Sequence, residues 1–158
     1  MGNIAYDRNE FDRAIELFRE TIAADRKVGY RRGVALALTN MGLALNQQGR
    51  LEESREALTE GLVIRRSLGM KLWFAYSFEA FADLAVSEGL NQRWARLCGA
   101  AHALREKINS PLPAGETPEE NYFTPDGSEE PELVEAWTEG AKMSAEEAID
   151  YALGRREC

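Results

Sequence analysis

Proline is missing from the first 110 residues of this chain, and all five prolines fall between Pro111 and Pro131. Helices can therefore run through the body without a fixed φ or a lost backbone donor. Cysteine is scarce. Cys98 and Cys158 stand sixty residues apart with no CxxC and no Cys/His cluster, which fits two reduced thiols in a cytoplasmic protein and offers no metal site. No apolar run approaches the roughly 20 residues of a membrane span. The first residues lack the basic-then-apolar order of a secretory signal, and Tyr6 stands where an acylation motif wants Ser or Thr. Lys and Arg are absent between Ile108 and Ala141, a stretch holding nine acidic residues. Without clustered positive charge the chain has no duplex-binding surface, so no direct contact with nucleic acid is expected. Phosphate-binding and dinucleotide glycine motifs are missing too.

What is present is a repeat with a period of forty. Aligning Met1, Met41 and Phe81 brings Gly2, Gly42 and Ala82 into one column and Asn9, Gly49 and Gly89 into another. The second column tolerates the positive φ at which a helix stops. Phe11 then matches Leu51, Ala14 matches Ser54, Phe18 matches Leu58 and Ile22 matches Leu62. The third copy places Asn91, Trp94, Cys98 and His102 in those columns. Phe11, Ala14, Ile15, Phe18 and Ile22 recur at three- and four-residue spacing, as do Val34, Leu38, Met41 and Leu45, so each copy reads as a helical hairpin. Gly42 and Gly61 inside these helices imply close crossings.

In these columns the chain resembles the tetratricopeptide repeat family. Met41, Gly42, Gly49, Leu51, Ser54, Leu58 and Gly61 follow the family pattern, and Met1, Gly2, Asn9, Phe11, Ala14, Phe18 and Thr21 follow it with Asn at the turn. In the third copy Phe81, Ala82, Gly89 and Ala101 fit, while Trp94 takes a column usually held by alanine. The segments "ARLCGAAHALREKINSPLP" and "PELVEAWTEGAKMSAEEAIDYAL" are similar to the ends of LuxR-type ATP-dependent bacterial transcription regulators. Together the resemblances imply an all-α, right-handed helical-repeat stack of three hairpins with a C-terminal helical cap. The expected organisation is hairpins over 1–108, an acidic Pro-containing connector over 109–130 and a cap over 131–158. Met1 falls in mid-helix by comparison with residues 30–40. The chain is therefore expected to be a fragment of a longer regulator or a short product that self-associates through its first hairpin.

No catalytic residue is assigned. His102 and Cys98 occupy core columns, the paired acids at 119–120 and 129–130 read as solvated charge, and the chain is expected not to be an enzyme and to need no cofactor. The resemblance implies a concave groove for a protein or peptide partner, lined by Asn3, Tyr6, Asp7, Thr39, Asn40, Leu43, Asn46, Gln47, Tyr76, Glu79 and Asp83. Asn3 and Asn40 match two columns of a carboxylate-clamp subset, whose basic columns hold Tyr76 and Ala80 here. An alternative is a small-molecule effector site among Trp73, Phe74, Tyr76, Phe78 and Phe81. The tail, through residues such as Leu133 and Trp137, is expected to fold over that aromatic helix. Pro131 starts one short tail helix that Gly140 ends, Ser144 and Glu147 form a capping box at the start of another, and the "NYF" at 121–123 is an expected anchor.

Overall fold

The computed structural model describes residues 2–109, 123–125 and 130–155, and the described residues contain eight α-helices and no strand. They are α1 (Gly2–Asp7), α2 (Phe11–Lys27), α3 (Arg31–Gln47), α4 (Leu51–Ser67), α5 (Phe74–Ser87), α6 (Asn91–Lys107), α7 (Pro131–Lys142) and α8 (Ala145–Ala152). A 3₁₀ turn, Lys71–Trp73, leads directly into α5. Contacts divide the chain into two compact units, Met1–Met70 and Lys71–Cys158.

The joints repeat twice as often as the sequence columns suggested. Left-handed φ occurs at Asn9 (59°), Gly29 (72°), Gly49 (71°), Gly69 (63°), Gly89 (72°) and Asn109 (48°), one joint every twenty residues. At each of the first five the same hydrogen bond closes the helix end. The N–H groups of Glu10, Tyr30, Arg50, Met70 and Leu90 donate to the carbonyls of Ala5, Asp25, Leu45, Arg65 and Ala85, at 2.8–3.0 Å. This is the six-to-one closure that satisfies an orphan carbonyl after a left-handed residue. Helices α2, α3, α4 and α6 are consequently each 17 residues long.

In the first unit consecutive helices pack pairwise, α1 on α2, α2 on α3 and α3 on α4. Their core holds Ile15, Phe18, Ile22, Val34, Leu38 and Leu45, with Tyr6, Phe11, Met41 and Ile64 packed around it. Each such side chain contributes about 1.5–3 kcal/mol when fully buried. The glycines make the close crossings expected of them. A Cβ on Gly42 would meet Leu58 Cδ2 at 2.7 Å, and one on Gly61 would meet the Ala35 carbonyl at 3.2 Å. Ser54 strengthens the first crossing by donating its hydroxyl to the Gly42 carbonyl at 2.8 Å. Outside the core, α2 and α4 are bridged by Arg19–Glu53 (3.8 Å) and Arg26–Glu60 (2.5 Å).

In the second unit α5 packs on α6, α7 packs on α6, and α8 reaches both α5 and α6. Two expectations change here. Trp137 sits on α6 and not over the aromatic helix: its indole N–H donates to the Phe123 carbonyl at 3.0 Å, and its ring lies 5.2 Å from that of His102. Gly140 does not end α7, which continues to Lys142; instead it rests on the backbone of Arg96, as Gly99 rests on that of Trp137. Trp94, the unusual residue of its column, stacks at 5.1 Å on Phe123, so the third hairpin gains a seat for the segment that follows it. Phe123 is the buried anchor expected of the "NYF" stretch; Asn121 and Tyr122 lie outside the described residues. The Ser144–Glu147 capping box forms as expected, with both reciprocal hydrogen bonds present at 2.9 and 3.2 Å.

Candidate functional site

Helix α3 has two faces. One, through Val34, Leu38 and Leu45, enters the core. The other carries Arg32, Leu36, Asn40, Leu43 and Gln47, spaced at four, four, three and four residues and therefore aligned along one side. Arg32, Leu36 and Gln47 are exposed, Leu36 at 39%, while Asn40 and Leu43 are half-buried. Helix α1 borders this stripe. Asn40 Nδ2 donates to Asn3 Oδ1 at 2.9 Å, and Asp7, one turn beyond Asn3, is also exposed. The structure thus brings Asn3, Asp7, Asn40, Leu43 and Gln47 to one accessible face of the first unit.

Other residues expected on the groove are used elsewhere. Thr39 is 1% exposed, donates to the Ala35 carbonyl at 3.1 Å and lies against Gly61 of α4, so it is a packing residue. Asn46 is buried as well. Tyr6 turns toward the core and meets Phe11 edge-on at 5.5 Å. In the second unit Glu79 is taken up by Arg105 of α6 in a two-pronged ion pair, Arg105 Nη2 reaching Glu79 Oε2 at 2.6 Å. The carboxylate side chain is 10% exposed and the guanidinium 16%, so the pair ties α5 to α6. Tyr76 and Asp83 are half-buried, Tyr76 meeting Trp73 edge-on at 6.3 Å. Phe74, Phe78 and Phe81 are packed inside, so three of the five rings offered for a small-molecule site are core residues.

The groups considered for chemistry are quiet. Cys98 is buried, its Sγ accepts from the Phe123 N–H at 3.5 Å, and burial pushes its thiol pKa up to about 12, far from a reactive thiolate. His102 is half-buried beside Trp137, its Nε2 3.6 Å from Glu106. Glu53 accepts from Arg50 at 2.6 Å, and that hydrogen bond holds its carboxyl below the usual range on an exposed surface. Among the described residues no three His, Cys, Asp or Glu side chains are placed to hold a metal ion, and no helix is long and apolar enough to cross a membrane. A cleft of about 300 Å³ lies at the α2–α3 joint, lined by Asp25, Arg26, Arg31, Val34, Glu60 and Ile64, with the Arg26–Glu60 pair among its walls.

Fold and surface together define an all-α helical-repeat scaffold. Residues 1–67 match the family model of the tetratricopeptide repeat, a repeat that mediates protein–protein interaction. No curated protein and no solved structure matches the chain at a significant level.

Proposed function

We propose that the chain is a non-catalytic module that holds a protein or peptide segment along the exposed face of α1 and α3. The observation that carries this reading is the Asn40–Asn3 hydrogen bond at 2.9 Å. It fixes two amides from different helices side by side, on a face that also carries Leu36, Leu43 and Gln47, with charge at Arg32 and Asp7. Amides both donate and accept, which suits the backbone of an extended peptide, and Leu36 and Leu43 give apolar side chains somewhere to rest. We also propose that the first hairpin supports self-association through Ile4, which is 57% exposed on α1. We also propose that the module belongs to the sensory end of a LuxR-type bacterial transcription regulator, a reading that rests on the resemblance of its C-terminal segments alone.

The test is a fluorescence-polarisation screen of the full chain against an unbiased peptide library. It is repeated with Asn3→Ala, Asn40→Ala, Leu43→Ala and Gln47→Ala, none of which touches the core. Peptide affinity should fall about tenfold for the strongest of these, the effect of about 1.4 kcal/mol of lost contact. Ligands that bind all four variants like the parent would refute the assignment of this face. For self-association, light scattering across a concentration series should show an oligomer that Ile4→Glu dissolves; a monomer throughout would remove that part.

A further inference from the structure

The cleft at the α2–α3 joint has electrically balanced walls. It measures about 300 Å³, the small end of the range for ligand sites, and is lined from α2, α3 and α4 of the first unit. Arg26 of α2 and Glu60 of α4 pair in its wall at 2.5 Å and cancel each other's charge. Asp25 of α2 and Arg31 of α3 remain, and among the described residues neither forms an ion pair. Arg31 Nη2 donates to the Ser67 hydroxyl at 2.9 Å, and that hydroxyl donates onward to the Ile64 carbonyl at 2.8 Å. A neutral partner thus steers the guanidinium and leaves its charge and its other N–H groups available. Buried Val34 and half-buried Ile64 add apolar surface to the lining.

Gly33 makes room for the acid. A Cβ there would overlap Asp25 Oδ2 and meet Tyr30 Cδ1 at 2.5 Å. Glycine is a poor helix former, and in the first turn of α3 it lets a carboxylate stand against the helix backbone. Among the described residues that carboxylate accepts no hydrogen bond from the helix amides, so it does not serve as a cap. Gly42 and Gly61 serve core crossings, whereas Gly33 serves a charged group.

We propose that this cleft binds an aliphatic α-amino acid, with Arg31 taking the carboxylate, Asp25 the ammonium, and Val34 and Ile64 the side chain. It shares no residue with the α1–α3 face and is a second site. A simple anion would gain Arg31 but be repelled by Asp25, and a simple cation would meet the reverse. A zwitterion satisfies both groups at once. The planar fork of arginine matches a carboxylate, and apolar surface beside the two charges favours an aliphatic side chain. Because Arg31 is open to solvent, binding is weak, with a dissociation constant on the order of 1 mM.

The experiment titrates the isotope-labelled full chain with L-leucine and follows its amide resonances by NMR. Saturable shifts should centre on residues 25–34 and 60–67 at ligand concentrations up to about 20 mM. N-acetyl-L-leucine lacks the ammonium, L-leucinamide lacks the carboxylate and glycine lacks the side chain; each should bind at least about tenfold more weakly. Asp25→Asn should weaken L-leucine about tenfold while holding N-acetyl-L-leucine as well as the parent does. Arg31→Gln should do the same with L-leucinamide as the unaffected ligand. The analogue series on the parent needs no variant, so it stands even where a substitution disturbs the fold. Shifts that never saturate, shifts centred elsewhere, analogues that bind as well as L-leucine, or folded variants that bind it like the parent would each overturn the proposal.

Discussion

Gly42 lies directly against Leu58: a Cβ built on the glycine would meet Leu58 Cδ2 at 2.7 Å and Cγ at 2.8 Å. The first copy repeats the relationship, Gly2 facing the Phe18 ring at 2.5 Å, and the third copy replaces both columns with Ala82 and Cys98. A small partner in one helix thus accompanies a larger residue in the other. Gly42→Ala should cost about 1–2 kcal/mol through overpacking, despite the better helix propensity of alanine. Leu58→Cys should cost about 2 kcal/mol. Placed on the Leu58→Cys background, Gly42→Ala should turn neutral or stabilising, a coupling of about 1–2 kcal/mol. Urea unfolding of the four proteins in the cycle measures it; simple additivity would show that the two columns do not read each other.

The α6–α7 crossing admits even less. A Cβ on Gly140 would overlap the Arg96 carbonyl, and one on Gly99 would overlap that of Trp137. Backbone cannot rotate aside as a side chain does. Gly140→Ala should therefore lose about 3 kcal/mol or detach α7 locally. Trp94 and Trp137 both lie near this contact, so intrinsic fluorescence should shift toward the exposed value. An unchanged spectrum with an unchanged midpoint would contradict the crossing.

Glu79 and Arg105 form the least exposed of the ion pairs found among the described residues. Removing one partner leaves the other charge in a poor solvent, so Glu79→Ala should cost about 3 kcal/mol. Glu79→Met with Arg105→Met should cost clearly less than the single change. Chemical denaturation of the three proteins tests this, and a single change no worse than the double would place the pair in solvent.

Cys98 makes stability depend on pH on the alkaline side. Its thiol is pushed from an ordinary 9.0 up to about 12 in the folded chain, chiefly by burial, so the folded state keeps a proton that the unfolded state gives up. The unfolded chain then binds fewer protons above pH 9, and stability falls as pH rises from there toward 12, by up to about 1.4 kcal/mol per unit. Below pH 9 this thiol adds no slope. Cys98→Ala should flatten the difference in urea midpoint between pH 8.5 and 10.5 relative to the parent. Parallel curves for the two proteins would show that the thiol is not protected.

The hairpins were legible because two simple signals coincide. Apolar spacing marks one face of each helix, and Asn9, Gly49 and Gly89 mark bends where most residues would be strained. Gly69 also reads as a helix end in the sequence, while Gly29 and Asn109 carry the same geometry unseen, because a forty-residue alignment hides a twenty-residue joint when the helices on either side bury different residues. The candidate face was half legible. Asn3, Asp7, Asn40, Leu43 and Gln47 could be placed on one accessible face through the tetratricopeptide resemblance. Thr39 and Glu79 could not, since helical periodicity says that a polar residue leaves the core face but not whether a neighbouring helix claims it. Thr39 is claimed by close packing on Gly61, and Glu79 by an arginine 26 residues away. Gly99 and Gly140 did carry a readable mark, glycine inside two otherwise regular helical stretches. Taking Gly140 as a stop signal concealed the contact.

A joint at every twentieth position makes helix length the quantity least open to change. One residue added inside a 17-residue helix turns everything beyond it by about 100°, carrying Leu58 away from Gly42 and every later column with it. Such a chain can be extended or trimmed safely only in whole modules of twenty or forty, so variation between related sequences is expected to arrive as complete blocks and not as single-residue gaps.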